Sequence, residues 1–296
     1  MSNLKALKSR IKSVKSTQKM TKAMKMVAAS KLRRAKQAVE SSRPYSEKIA
    51  ELISSVASNI SAKDMQNGRF PLLTGHSSNK THLVIILSSD RGLCGGLNSV
   101  AVKHAKNYIN SLTAKGKIVK IIFIGRKAYE QMKSAFSDKI NDKIFGIFKN
   151  NIDYKVAEDL AKKVINLFDS RKFDICDVIY SKFKSAIAQE VIKKQLIPAE
   201  INIEIKSSAA GQMPIDYEPG KKEILSNLLP RNLTMQIYNQ LLENSASEQG
   251  ARMAAMESAT KNAGTMIKNL TLVYNRTRQA NITKELIDIV SGANAV

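Results

Sequence analysis

Tryptophan is absent from this sequence, and cysteine occurs only twice, as Cys94 and Cys176. Two thiols so far apart exclude a disulfide framework and a cysteine-rich zinc site, and they fit a reducing compartment. His76, His82 and His104 have no metal-ligand spacing and read as solvated side chains. Long apolar runs are also missing. Stretches such as Leu83–Leu87 and Ile121–Ile124 are far too short to span a bilayer, so any membrane link is expected to run through partners. Residues 1–30 carry a lysine every few positions and no apolar core, which does not fit a secretory signal. No Walker-type phosphate loop occurs, no aromatic–basic repeat of an RNA-binding surface is visible, and no cofactor is expected.

Glycine and proline are scarce where it matters most. The first glycine is Gly68, and Pro44 is the only proline before Pro71, so the N-terminal sixty residues read as a long helix that Pro44 should bend or interrupt. Leu4, Leu7, Ile11 and Val14 keep 3-4 spacing, which becomes ragged through Gln18, Thr21 and Lys25. No proline follows Pro230. Met253, Met256, Thr260, Ala263, Ile267, Leu270, Tyr274 and Thr277 continue the same spacing near the other end. Between the two helices the pattern changes. His82–Ser88, Ile118–Gly125 and Asp174–Ser181 read as strands, Asn98–Ala114, Tyr154–Asp169 and Ser185–Gln195 as helices, and Ile201–Ile205 as a further edge strand. Loops around Asp64–Lys80 and Ser207–Gly220 mark boundaries.

Two striped helices leave their stripes wet unless they meet. The fold class is therefore α/β with long helices: an antiparallel coiled coil of the N- and C-terminal helices, 1–60 and 217–291, plus a central Rossmann-like α/β domain at 80–206. If the helices leave that domain near residues 58 and 220, residue n lies beside about residue 278 − n, which sets Met24 near Met253 and Ala28 near Gly250. Roughly 16 C-terminal residues are then without a partner helix. That overhang carries Ile282, Leu286, Ile287, Ile289 and Val290, too apolar to stand bare, so a partner should sleeve it.

Charge favours acidic partners without choosing among them. The net charge is +23, with 14 basic and 3 acidic residues in 1–60 against 9 and 8 in 211–296. A basic coiled-coil protein that binds nucleic acid remains an alternative at this point, as does an α/β enzyme using the turn Asp90–Gly96. That turn follows a strand and precedes a helix, but it lacks Gly-Lys-Ser/Thr and does not fit GxGxxG. A tight strand-to-helix turn explains its glycines, and Cys94 reads as a small residue in it.

Four blocks of sequence resemble the F-type ATP synthase γ subunit family: TQKMTKAMKMVAASK at Thr17–Lys31, SSDRGLCGGLN at Ser88–Asn98, SEQGARMAAM at Ser247–Met256, and LVYNRTRQANITKELIDIVSGANAV at Leu272–Val296. The resemblance implies a non-catalytic central-stalk rotor that couples proton flow to ATP synthesis and hydrolysis on other subunits. It implies as partners three α and three β subunits, the ε subunit and the c-subunit ring, with the complex on the cytoplasmic side of the cell inner membrane. It places Met24 at the level of moving β-subunit loops with Arg252 close by, Arg91 beside a β-subunit acidic loop, and Arg278, Gln279 and Thr283 where the upper shaft meets the static ring. Tyr217 and Glu218 match a segment near the c ring, with Ile215 in place of an aromatic residue.

Overall fold

A computed structural model of the chain describes residues 2–58, 70–76, 78–149, 152–199 and 220–293. Helix α1 runs over Ser2–Ser58 and a one-turn helix, α2, over Pro71–Thr74. Then follow β1 (Thr81–Leu87), α3 (Leu97–Ala114), β2 (Ile118–Ile124), α4 (Arg126–Met132), β3 (Ile140–Ile144), α5 (Tyr154–Asp169), β4 (Ile175–Phe183), β5 (Gln189–Ile197) and α6 (Lys221–Ala293). The chain divides into two compact units, residues 1–29 with 252–296 and residues 30–251, so both divisions fall inside the long helices.

In the larger unit the strand order is β3-β2-β1-β4-β5, with β1 to β4 parallel and β5 antiparallel to β4. Strand alternation splits the core into two layers. Leu83, Ile85 and Leu87 face α5 and the buried side of α6, where Phe168, Leu233, Ile237 and Leu241 pack. Val84 and Ile86 face α3 and α4 through Ile109, Ala128 and Met132. A third cluster joins Ile49, Ile53 and Val56 of α1 to Leu225 and Leu229 of α6. At Gly125 (φ 99°) an added Cβ would stand 2.1 Å from the Ser88 carbonyl oxygen, so β2 and the end of β1 approach as closely as only glycine permits.

Three expectations are corrected. Ser185–Gln195 is not a helix: Ser185 and Ala188 close a tight turn, and Gln189–Ile197 is an edge strand paired along β4. Its apolar pairs Val191–Ile192 and Leu196–Ile197 mimic helical spacing, while Lys193 and Lys194 suit an edge that must discourage further pairing. Pro44 does not interrupt α1, which is continuous through it. The proline lies on the exposed side, where water can serve the carbonyl it leaves unbonded. His82 is buried rather than solvated, and His76 is half-buried, stacked on Phe168 with ring centroids 4.2 Å apart. Ile201–Ile205 and the 207–219 loop lie outside the described residues.

In the smaller unit the two helices run antiparallel. The hydroxyls of Thr21 and Thr260 meet at 2.7 Å, Lys25 pairs with Glu257 at 2.6 Å, and Gln18 reaches Gly264. The Thr21–Thr260 contact fixes a register in which residue n faces residue 281 − n, one helical turn away from the expected 278 − n. In the larger unit the Ser42–Asn239 bond of 2.8 Å obeys the same register, so residue 58 lies level with residue 223 and not with residue 220. The ragged part of the α1 stripe is continuous in space. Leu4, Leu7, Ile11, Val14, Gln18, Thr21, Lys25 and Ala28 are all half-buried or buried.

Candidate subunit-interface surfaces

The first surface is the coiled coil of the smaller unit. Heptad positions normally given to large apolar side chains hold Gln18, Thr21 and Lys25 on α1 and Thr260, Ala263 and Gly264 near them on α6. Short side chains let the backbones approach, and the Thr21–Thr260 bond satisfies two hydroxyls that would otherwise be buried alone. Met20, Met26 and Val27 stand exposed on the opposite side of α1. Met24 is half-buried. Its register partner is Glu257, while Arg252, also half-buried, faces Ala29, so the structure does not set Met24 beside Arg252. The two are separated by five positions, about 7.5 Å along the coil.

The second surface is the turn after β1. Ser89 and Asn98, both buried, bond reciprocally: the Asn98 carbonyl accepts from Ser89 N at 3.1 Å, and the Asn98 amide donates to Ser89 Oγ at 2.8 Å. The Ser89 hydroxyl is also 2.7 Å from the Arg91 carbonyl, and the Asp90 carboxylate accepts from Gly146 N at 2.9 Å and Phe148 N at 3.3 Å. Cys94 is buried with Leu97 against Ala251 of α6. Side chains therefore fill this turn from within, and a carboxylate rather than a cation supports it, which suits a rigid corner better than a phosphate cradle. The corner presents Arg91 and Leu93 to solvent. Leu93 has φ 64° and is 61% exposed, and the sequence reading missed it. An apolar side chain held outward in the left-handed region carries strain that a contact would repay.

The third surface is the end of α6. In the 281 − n register, helical residues beyond about 280 have no α1 residue to face. Ile282, Leu286 and Ile289 are 48%, 58% and 68% exposed, and Arg278, Gln279 and Thr283 are exposed as well. Glu218, Tyr217 and Ile215 lie outside the described residues.

Buried ionisable groups lie elsewhere. Asp177, on β4, accepts from Tyr108 at 2.7 Å, has His82 Nδ1 at 3.5 Å, and is 3.7 Å from the Lys193 ammonium. Burial, reinforced by Asp177, pushes the Tyr108 phenol upward, and burial likewise raises Tyr180 to about 12. With side chains of His82 and Asp177 almost closed to water, the cluster reads as a fastening between β1, α3, β4 and β5. Among the described residues no group of three or more His, Cys, Asp or Glu could hold a metal ion, and no helix is long and apolar enough to cross a membrane.

Comparison with known proteins extends over the whole chain. The sequence profile of a family described as ATP synthase matches residues 3–296. The ATP synthase gamma chain of Pelagibacter ubique is 49% identical over 296 residues, and that of Sinorhizobium medicae 48%, each covering 100% of both chains. Among solved structures, a chain of the Tetrahymena thermophila mitochondrial ATP synthase central stalk and c ring matches with TM-score 0.59 and 27% identity, over 81% of this chain and 99% of that one. A chain of the Euglena gracilis mitochondrial ATP synthase rotor shares the fold at TM-score 0.62 and 19% identity, over 95% and 99%. Nothing in these matches supports the nucleic-acid alternative. An antiparallel coil rising from a Rossmann-like sheet, matched end to end by such relatives, makes this chain a member of the ATP synthase γ family.

Proposed function

We propose that the chain is the central-stalk rotor subunit of an F-type ATP synthase. It carries no active site of its own and couples proton flow through a membrane sector to ATP synthesis or hydrolysis on a ring of three α and three β subunits. The observation that carries this reading is the two-helix coil whose α6 outruns α1 and ends in an uncovered apolar helix. Three chemically identical catalytic sites differ only when something without three-fold symmetry presses on them unequally, and a two-helix rod has no three-fold axis. Rotation then biases each site in turn by differential contact.

The surfaces divide the work. Met24 and Arg252 lie on the half-buried part of the coil and meet the moving β-subunit loops. Arg91, presented by its rigid corner, pairs with an acidic β-subunit loop. Arg278, Gln279 and Thr283 touch the static ring, and Ile282, Leu286 and Ile289 are sleeved within it. Glu218 contacts the c ring, and the ε subunit completes the stalk. Membrane attachment is peripheral, at the cytoplasmic side of the inner membrane, through these partners, and contact with the ring sets the ATPase rate. The test is reconstitution. Purified α and β subunits should co-purify with this chain as three, three and one, and their ATP hydrolysis should rise when it is added, whereas the chain alone should hydrolyse nothing. Equal hydrolysis by α and β with and without it would sink the proposal.

A further inference from the structure

Within the unit of residues 30–251, α1 stands off from its neighbours between Lys31 and Tyr45. Two openings, of about 690 and 750 Å³, lie along it and share Ala38 and Ser41, so they form one groove. One wall is α1. The other is the α6 stripe from Arg231 to Gln249, and α5 closes the lower half through Tyr154, Glu158 and Ile165. From the helical rise, the walls are about 21 Å and 27 Å long. That length holds six to eight residues of extended chain at about 3.3 Å each.

The lining says what kind of chain. At the upper end Lys31 and Arg34 stand one turn apart on α1, and no carboxylate lines that opening. Phe148, Ile152 and Leu242 give it an apolar back. At the lower end Tyr45, Tyr154 and Tyr238 form an aromatic cradle, with Tyr154 and Tyr238 edge to face at 5.6 Å and Tyr45 52% exposed. There Glu158 is neutralised by Lys162 at 2.8 Å, leaving Arg231 as a further cation. The amides of Gln37 and Gln249 face the groove and make no hydrogen bond among the described residues, although Gln249 is only 5% exposed. A buried amide without a partner is costly, and its natural complement is a main chain whose own N–H and C=O groups are free. Extended chain has such groups, whereas a docked helix keeps its own bonded internally.

We propose that this groove is the docking channel for an extended peptide segment of another subunit of the complex, with carboxylates at the Lys31–Arg34 end and apolar or proline residues against the three tyrosines. The inference rests on the rotor reading, because it draws the occupant from the same complex. A photo-crosslinking benzoylphenylalanine placed separately at Gln37 and at Tyr45, both exposed on α1, tests it in the assembled complex. Both probes should label one stretch of six to eight residues in a single partner subunit, with its acidic residues nearest position 37. Arg34→Glu should cut labelling from position 37 at least tenfold while the subunit composition stays the same. Labelling confined to this chain, scattered over several partners, directed to a partner helix, or absent from a complete complex overturns the channel and leaves the rotor assignment standing. A small organic anion retained there in native mass spectrometry, without peptide labelling, overturns it equally. Failure of the chain to co-purify with α and β overturns the rotor assignment, and this occupant with it.

Discussion

Single residues fasten the sheet more than they decorate it. Asp174 precedes β4 and accepts from Thr81 N and Lys80 N, each at 2.8 Å, and from Ser78 Oγ at 3.1 Å, so one carboxylate pins the start of β1 to the start of β4. Burial pushes its acidity up, but the two main-chain donors, Ser78 and the nearby His76 outweigh burial and hold it below the usual carboxylate range. A carboxyl with a lowered folded value adds stability that is complete above its unfolded value near 4 and fades as pH falls through the folded one. Asp174→Ala should therefore cost about 1–3 kcal/mol in urea unfolding at pH 7. The gap from the wild type should narrow below about pH 4, and a gap that widens on acidification would contradict this role. None of this was legible beforehand, because three donors converge on Asp174 only once β1 and β4 are adjacent. His82 was misread for the same reason: its burial depends on Asp177 and Tyr108, which stand far away in the sequence.

Elements with strong periodicity were readable, and those whose pattern is ambiguous were not. Strands β1, β2 and β4 and helices α3 and α5 follow from apolar runs bounded by turn residues, and the structure places them within two residues of expectation. Strand β5 was misread because four residues of alternating pairs fit either period, and α4 and β3 went unread because Gln131–Asn150 mixes lysines, serines and single apolar residues. The register of the coil was one turn out, since counting from assumed exit points cannot see which layers interlock. Thr21–Thr260 now supplies a direct test. In a background of Cys94→Ala and Cys176→Ala, Thr21→Cys with Thr260→Cys should oxidise to a disulfide, the facing hydroxyls being 2.7 Å apart. The same register moves the partner of Ala28 from Gly250 to Met253. If both helices turn as one body, the bridged enzyme keeps most of its coupled ATP hydrolysis. Reversible arrest by that bridge, measured before and after reductant, would mean that the helices slide past each other during turnover.

Across the whole molecule, basic charge and exposed apolar surface occupy opposite ends of the sequence. The excess of Lys and Arg lies in the first 210 residues, whereas the apolar helix end at Ile282–Val290 carries nearly balanced charge. Attraction orients the one, and desolvation seats the other. Ile282→Asp with Ile289→Asp should impair co-assembly and reduce coupled proton transport at least as much as hydrolysis, since each buried, unpaired carboxylate costs several kcal/mol. Normal yield and coupling of the double variant would show that the tip is not enclosed. The larger unit also has a mechanical consequence. Helix α6 is bolted to β4 there: Asn244 Oδ1 accepts from Ser181 N at 3.3 Å, Ser247 Oγ donates to Ser181 O at 2.8 Å, and Glu243 accepts from Phe183 N at 2.9 Å. Helix α1, beside its open groove, is tied to α6 by Ser42–Asn239 and by the apolar cluster farther down. Torque entering this unit therefore has two springs in parallel, one clamped along its length and one held mainly near its lower end. The clamped helix carries most of the load, and the other is free to twist a little before it engages. Asn244→Ala with Ser247→Ala should then soften the torsional stiffness of single assembled rotors more than Ser42→Ala does, and the reverse order would place the load on α1.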